Sequence, residues 1–139
     1  METREVRVVR DFMEQVRSGV DPDAAHRFMA DRVRAHQVHS EEAVTVERTP
    51  GQYADHVRDM LAAYGDFGLR LDELFGSGDR VYARWIQSGR HLGEVDGLPP
   101  TGRPVTQVAS AVYRVAAGRI VEYWIQIDRH GLRAQLSHT

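Results

Sequence analysis

Three side chains in the C-terminal half of the sequence could take part in proton transfer. Asp128 and His91 are titratable, and the phenol of Tyr123 can donate a hydrogen bond to a carbonyl or enolate. Each residue also has a structural alternative. Asp128 could cap a helical turn at 131–136, His91 could tie down the loop that follows it, and Tyr123 could pack in the core. The sequence leaves these alternatives open, because only the fold decides which side chains face a ligand.

Several other kinds of chemistry have no support in the sequence. There is no cysteine, which excludes disulfides and thiolate nucleophiles. His36 and His39 are three residues apart, so on a strand they point to opposite faces, and no third metal ligand lies near them in sequence. No phosphate-binding glycine loop or nucleophile elbow occurs. We therefore expect neither a metal nor a nucleotide site.

The composition is typical of a globular domain. Residues 1–139 are 42% hydrophobic, and we expect them to form a single domain. No apolar run approaches the roughly 20 residues of a membrane span, and the first residues are too charged for a secretory signal. The net charge is −2 and no basic block occurs, so neither nucleic acid nor a membrane is an expected partner. A cytoplasmic location is expected.

The spacing of apolar residues predicts the order of the elements. The first half contains a helix over 6–16, a short helix from Pro22, a short strand or extended loop at 33–38, and a helix that begins at the capping box of Thr49 and Gln52. From Phe67 the period changes from about 3.6 to 2, which predicts four long strands. The last two strands, 105–115 and 119–128, form a β-hairpin around Ala116-Ala117-Gly118, and a short helical turn follows.

These elements predict an α+β fold, with the helices segregated to one face of a curved antiparallel sheet. Long strands that curl around helices enclose a cone, which the N-terminal helices cap and which stays open at its mouth. Small-molecule sites commonly lie in such mouths. Val108 and Val112 point to the outer face of the sheet, and an apolar outer face needs a cover. A homodimer is the expected cover.

Five short motifs follow one another in the C-terminal half. They are DRVYARW at 79–85, GRHLG at 89–93, GLPPTGR at 97–103, YRV with GRIVE within 113–122, and D-x-x-G-x-x-x-QL at 128–136. In this order they resemble the SnoaL-like polyketide cyclases of the NTF2-like superfamily. The resemblance implies a conical α+β barrel, often a homodimer, that binds a hydrophobic molecule without a metal or organic cofactor. Members close a polyketide ring by an aldol reaction, relatives hydroxylate polyketides, and more distant NTF2-like proteins open epoxides or isomerise steroids.

The sequence departs from that family at the positions of the aldol chemistry. In the family pattern the catalytic aspartate directly follows the tryptophan of the last strand, whereas here Trp124 is followed by Ile125. Its glutamine and histidine partners on the neighbouring strand correspond to Ala109 and Ala111. Asp128 lies three residues beyond Ile125, and this odd shift puts it on the other strand face. The resemblance therefore predicts the family's pocket with apolar residues in place of its acid–base set.

Further side chains are candidates for the lining of this pocket. Tyr123 and Gln107 fall, by parity, on the same strand faces as the replaced catalytic positions. His36 is a candidate because the family tends to place a histidine near this point. Trp85 either stacks on an aromatic ligand or fills the core. The predicted substrate-binding set is completed by Ile125, Ala109 and Ala111.

Three hypotheses about function follow from these residues. The first is a cofactor-independent enzyme that acts on a polyketide-like or other apolar molecule through Asp128, His91 and Tyr123. Its reaction would be a cyclisation, isomerisation, hydroxylation or epoxide opening. The second is a non-catalytic small-molecule binding protein of the same fold, which the apolar residue at Ile125 favours. The third is a purely structural dimerisation module, and of the three the enzyme is preferred.

Overall fold

The computed structural model describes residues 2–137. Within them the helical segments are α1 Arg4–Phe12, α2 Ala25–Phe28, α3 Pro50–Tyr64 and α4 Arg129–Ser137, with a π-helical turn at Met13–Arg17 and a 3-10 turn at Pro22–Ala24. The strands are β1 Met29–Gln37, β2 Val44–Arg48, β3 Gly68–Ser77, β4 Arg80–Arg90, β5 Pro104–Ala116 and β6 Arg119–Ile127. None of the helices in this part of the chain has both the length and the apolar character needed to cross a membrane.

The strands form one curved, unclosed sheet in the order β2-β1-β6-β5-β4-β3. The neighbouring pairs β1–β2, β3–β4, β4–β5 and β5–β6 are antiparallel, whereas β1 runs parallel to β6 and β2 and β3 form the two edges. A parallel neighbour is possible here because most of the chain lies between the two strands and supplies the long connection that a parallel pair requires. The expected α+β class with an NTF2-like cone is confirmed, and the sheet is mixed.

The β5–β6 hairpin is the centre of the sheet and was predicted closely. Its two turn residues, Ala117 and Gly118, have φ values of 51° and 77°. Two consecutive left-handed residues are typical of the tight turns whose twist matches that of the flanking strands. By contrast, β1 begins before the predicted segment at 33–38. Strand β2 was not predicted, because it has only five residues and most of them are exposed.

Helices α1 and α3 cover the concave face of the sheet. The buried face of α1 carries Val9 and Phe12, as its apolar spacing predicts, and continues into the π-helical turn at Val16. Helix α3 begins at the predicted capping box. The Thr49 hydroxyl accepts from the amide of Gln52 at 3.2 Å, and the Gln52 side chain accepts from the amide of Thr49 at 2.9 Å. This exchange satisfies donors that the first helical turn leaves free.

A glycine in β4 lets the end of α3 approach the sheet closely. A Cβ added at Gly89 would lie 2.6 Å from the carbonyl oxygen of Tyr64 and 3.1 Å from the Cβ of Phe67. Because one of those atoms belongs to the backbone, a side chain at this position could be accommodated only if the helix moved. Gly89 therefore fixes the distance between α3 and the sheet, and with it the width of the space between them.

Candidate functional site

A cavity of about 310 Å³ lies between α3 and the concave face of the sheet. One wall comes from α3 and is formed by Tyr53, His56, Met60 and Tyr64. The opposite wall comes from β1, β5 and β6 and is formed by Gln37, Gln107, Tyr123 and Ile125. The first residues of α4 close one side. Such a hollow, with an apolar surface and a few polar groups, is the usual form of a small-molecule site.

The register of the sheet explains which side chains meet in the cavity. Ile125 lies opposite Gln37 on one neighbouring strand and opposite Ala111 on the other. Gln107 lies opposite Gln87 of β4. Directly opposed residues in a sheet point to the same face, so all of these side chains are on the concave side.

Three of the predicted substrate-binding residues lie on this face without lining the cavity. Ala109 and Ala111 are buried beside it on β5. Trp85 is fully buried on β4, opposite Ala109, where the guanidinium of Arg17 lies 5.4 Å from its ring centroid. Trp85 thus occupies the core position, which was one of its two predicted alternatives. Gln107, Tyr123 and Ile125 do line the cavity.

Asp128 lies outside the cavity, at the start of α4. Its side chain is exposed, and Oδ1 accepts a hydrogen bond from the amide of Gly131 at 2.9 Å. This is the helix-capping arrangement that was the alternative to a catalytic role. The predicted change of strand face between Ile125 and Asp128 is consistent with this placement.

His91 is fully buried but also does not line the cavity. Its Nδ1 lies 3.2 Å from the hydroxyl and 3.3 Å from the amide nitrogen of Thr101. Its backbone exchanges hydrogen bonds with Arg103 and Gly102. These contacts hold the ends of the 91–103 loop together, as the structural alternative for His91 required.

His36 points to the convex face of the sheet, away from the cavity. Its neighbour Ala35 is fully buried on the concave side, and alternate residues of a strand face opposite ways. The imidazole stacks on Trp124 with ring centroids 5.1 Å apart, and its Nε2 lies 2.6 Å from Oε2 of Glu122. The expectation that His36 reaches the pocket is therefore wrong, because the strand parity sends its side chain outward.

Tyr53 and Tyr123 are two of the three tyrosines that line the cavity, and their rings lie close together. The rings of Tyr53 and Tyr123 are nearly perpendicular, with centroids 6.2 Å apart. Burial raises the pKa of both phenols, and the positive charges of Arg48 and Arg17 only partly oppose the shift. Neither hydroxyl has a hydrogen-bond partner among residues 2–137. Both phenols are therefore protonated at neutral pH and available as donors to a ligand.

His56 stands at the mouth of the cavity, one turn after Tyr53. Its ring centroid is 6.0 Å from that of Tyr53, and part of the side chain is open to solvent. Burial of the rest, together with Arg48 and Arg17, lowers the pKa of His56 to about 4, against the weaker opposing charge of Asp59. The imidazole is therefore neutral at physiological pH, and one ring nitrogen can accept a proton.

The charged groups of the cavity are mainly cationic. Arg17 is buried, and its Nη1 donates to Oε1 of Gln87 at 2.8 Å. Arg48 contributes a second guanidinium from the end of β2, whereas Arg129 is paired with Glu41. The acidic side chain of the lining, Asp96, is exposed at the rim. Among residues 2–137, no group of three or more His, Asp or Glu side chains is placed to hold a metal ion.

The model of the SnoaL-like polyketide cyclase family matches residues 7–136. The chain belongs to this family. Comparison with curated proteins found no significant sequence match to this SnoaL-like chain. Solved structures do match it along almost its whole length, and they agree with the fold described above.

Three of these structures illustrate the likeness of the SnoaL-like chain to its relatives. IdmH of Streptomyces antibioticus, a proposed polyketide cyclase, is 26% identical, with 98% of this chain and 100% of that chain covered and a TM-score of 0.79. TsrD of Streptomyces laurentii is 25% identical over 99% and 98% of the two chains, with a TM-score of 0.80. AclR of Streptomyces galilaeus, a proposed hydroxylase, is 20% identical over 95% and 80%, with a TM-score of 0.78.

Sequence reasoning missed His56 and Arg17 in the cavity of this SnoaL-like chain. Both positions carried a signal. His56 lies three residues after Tyr53 and four before Met60, so helical spacing puts it beside the buried stripe. Arg17 lies four residues after Met13, on the apolar face of the first helical segment. A polar residue at a position that the period predicts to be buried is a candidate for function.

Proposed function

We propose that the protein is a cofactor-independent enzyme that acts by acid–base chemistry on a hydrophobic, polyketide-like molecule bound in this cavity. One observation carries the proposal: the same hollow holds a protonated phenol, Tyr123, and a neutral imidazole, His56. Membership of the SnoaL-like polyketide cyclase family supports it, as does the similarity to IdmH, a proposed cyclase. The substrate class is natural-product intermediates with a carbonyl group next to an acidic C–H.

The two groups have complementary tasks in an enolisation. The neutral ring nitrogen of His56 is a weak base because its pKa is about 4, so it removes a proton only from an activated carbon between two carbonyls, and the electron pair moves onto a carbonyl oxygen. Tyr123 donates a hydrogen bond to that oxygen as its negative charge develops. For ring closure, the enolate carbon attacks a second carbonyl, and the oxygen of that carbonyl takes the proton back from the His56 imidazolium. For isomerisation, a conjugated enolate takes the same proton back at its γ-carbon. Epoxide opening belongs to the same proposal as a less favoured reaction, whereas hydroxylation would also consume an oxidant such as dioxygen, which these acid–base groups do not supply.

Asp128 and His91 have no part in this mechanism. Asp128 is engaged by Gly131 and His91 by Thr101, and neither lines the cavity. We therefore expect Asp128→Asn to retain turnover, since an asparagine can still cap the helix through its carbonyl oxygen. A large loss of turnover in a folded Asp128→Asn variant would return the catalytic role to this residue.

The proposal is tested with purified protein and a panel of aromatic polyketide intermediates, with products identified by mass spectrometry. Tyr123→Phe removes one hydroxyl without changing the ring, and we expect turnover to fall about hundredfold. His56→Gln should reduce turnover by a similar factor. Tyr82→Phe, on the opposite face of the sheet, is the matched control and should have no effect. Full turnover in both cavity variants would refute the mechanism.

A non-catalytic binding protein is the second candidate. The observation that favours it is the apolar character of Ile125, Ala109 and Ala111, where the family pattern has its acid–base residues. In that case the same panel would show binding by calorimetry, but no turnover by the wild-type protein. Tyr123→Phe would then weaken ligand binding only.

We also propose that the protein is a homodimer that associates through the convex face of the sheet. Phe75 is 59% exposed there, and its ring lies 5.2 Å from that of Tyr82 on the next strand. Val108 is also exposed on this face. Light scattering coupled to gel filtration measures the mass directly. A dimer that dissociates on Val108→Glu would support this interface, and a monomeric wild type would remove it.

A further inference from the structure

The least expected feature of the cavity is a buried positive charge that has no carboxylate partner. Arg17 is 2% exposed, yet among residues 2–137 no aspartate or glutamate lies within ion-pair distance of its guanidinium. Its hydrogen bond goes to the neutral amide of Gln87, and its Cζ lies over the Trp85 ring, 5.4 Å from the ring centroid. Burial of a charge costs several kcal/mol unless an opposite charge offsets it.

A second guanidinium lies in the same cavity. Arg48 comes from the end of β2, and its Nε is buried without a hydrogen-bond partner among the described residues. The charges of Arg17 and Arg48 act on the same three side chains of the cavity, Tyr53, Tyr123 and His56. Both cations therefore line one small space, where Nε of Arg48 has no acceptor and Nη1 of Arg17 donates to a neutral amide only.

An independent observation concerns a neutral side chain on the floor of the cavity. Gln107 is 8% exposed and lines the hollow, and its Oε1 is buried without a donor. A buried carbonyl oxygen without a partner costs about 1–3 kcal/mol, so such groups normally have one. The cavity thus offers guanidinium donors for an anion and, beside them, an acceptor that requires a donor.

We propose that the cavity selects substrates that carry a carboxylate next to a hydroxyl group, with the carboxylate held by Arg17 and Arg48 and the hydroxyl donating to Gln107. The inference rests on the proposed function in so far as it takes this cavity to be the substrate site. A planar carboxylate matches the donor geometry of guanidinium groups, which explains two arginines at this point. The apolar side chains of Met60, Ile125 and Ile127 then contact the hydrocarbon part of the molecule.

This arrangement also gives the carboxylate a place in the proposed chemistry. Arginines that neutralise a substrate carboxylate hold the molecule in one orientation and lower the energy of further negative charge nearby. The enolate of the proposed reaction is such a charge. A neutral substrate would leave both guanidiniums in the hollow without a counter-charge, so the selection acts against neutral molecules as well as for anions.

The test uses two probes that differ in charge but hardly in shape, 3-hydroxy-2-naphthoate and its neutral carboxamide. Binding is measured by isothermal titration calorimetry. We expect the wild-type protein to bind the carboxylate about ten- to hundredfold more tightly than the amide, as charge-assisted hydrogen bonds imply. Equal affinity for the two probes, or no binding of the carboxylate, would overturn the inference.

Variants identify the residues responsible. Arg17→Met and Arg48→Met should each lower the affinity for the carboxylate much more than the affinity for the amide, and so remove most of the preference. Arg80→Met is the matched control, because Arg80 lies over Trp124 on the convex face, 4.6 Å from the ring centroid. Arg48 is only half buried, so its variant remains informative if Arg17→Met fails to fold. A preference that survives in the folded Arg48→Met protein would overturn the assignment.

The role of Gln107 has its own comparison. 2-Naphthoate lacks the hydroxyl group and should bind the wild-type protein more weakly than 3-hydroxy-2-naphthoate, whereas Gln107→Leu should bind the two equally. These measurements do not depend on turnover. Carboxylate binding through Arg17 without turnover by any substrate would leave this inference standing and remove the enzyme. Turnover restricted to neutral substrates would support the enzyme and overturn the inference about the carboxylate.

Discussion

The lowered pKa of His56 gives a direct test of the cavity's electrostatics. The shift of the pKa from 6.5 to about 4 disfavours the imidazolium, by about 1 kcal/mol once the solvent exposure of the side chain is taken into account. Burial is its main cause, and the charge of Arg48 is the second. We therefore expect Arg48→Gln to raise the pKa of His56 part of the way back towards 6.5.

The assay is the NMR titration of the imidazole nitrogens between about pH 3.5 and 8. The wild-type His56 signals should show a midpoint well below 6.5, the usual pKa of a histidine side chain. Arg58→Gln is the matched control for Arg48→Gln. Arg58 lies on α3, two residues from His56, but its charge is paired with Asp23. This variant should leave the midpoint of His56 unchanged.

The same shift affects folding stability, with a sign that can be worked out. Because the folded protein binds this proton less readily than the unfolded chain, stability is complete above about pH 6.5 and decreases as the pH falls from there towards 4. Part of the side chain is exposed, so solvent screening reduces the loss to about 1 kcal/mol. A midpoint at or above 6.5 for His56, or a midpoint that Arg48→Gln does not move, would refute this description of the cavity.

Three further predictions concern stability and are tested by urea unfolding. Thr49→Ala removes the capping box of α3 and should lower the free energy of unfolding by about 1 kcal/mol. Gly89→Ala should lower it by about 1–3 kcal/mol because its Cβ meets backbone, whereas Gly68→Ala, with nothing within 4 Å, should not. The hydrogen bond with His36 lowers the pKa of the Glu122 carboxyl, so the ionised carboxylate stabilises the fold above about pH 4.5 and this contribution is lost as the pH falls further. Glu122→Gln lacks the carboxylate, so its free energy of unfolding should decrease less than that of the wild type below about pH 4.5. An unchanged acid profile for Glu122→Gln would exclude this network as a source of stability.

Local patterns in the sequence were sufficient to predict much of the fold. The capping box at Thr49 and the turn at Ala117 and Gly118 depend on neighbouring residues, so both appear in the structure where they were expected. The parallel pairing of β1 with β6 joins Gln37 to Ile125, far apart in sequence, and no local pattern could indicate it. The π-helical turn that ends at Arg17 was also not predicted, since its apolar spacing resembles that of an ordinary helix.

The candidate site was predictable in part, for the same physical reason. Strand parity placed Tyr123, Gln107 and Ile125 on the face that lines the cavity, because alternation is a local property of a strand. It could not show that His56 of α3 lies across the hollow from them, since that depends on how helix and sheet pack. Nor could it show that Arg17 is buried without an acidic partner, which requires the positions of all its neighbours.

The packing of α1 has a consequence for how the protein is made. Its apolar face, with Val9 and Phe12, packs against strands β3, β4 and β5, which come from the second half of the chain. On the ribosome this helix emerges before those strands and stays uncovered until β5 is complete at Ala116, more than a hundred residues after the helix ends at Phe12. Early chaperone contact at this segment would protect it from aggregation during synthesis.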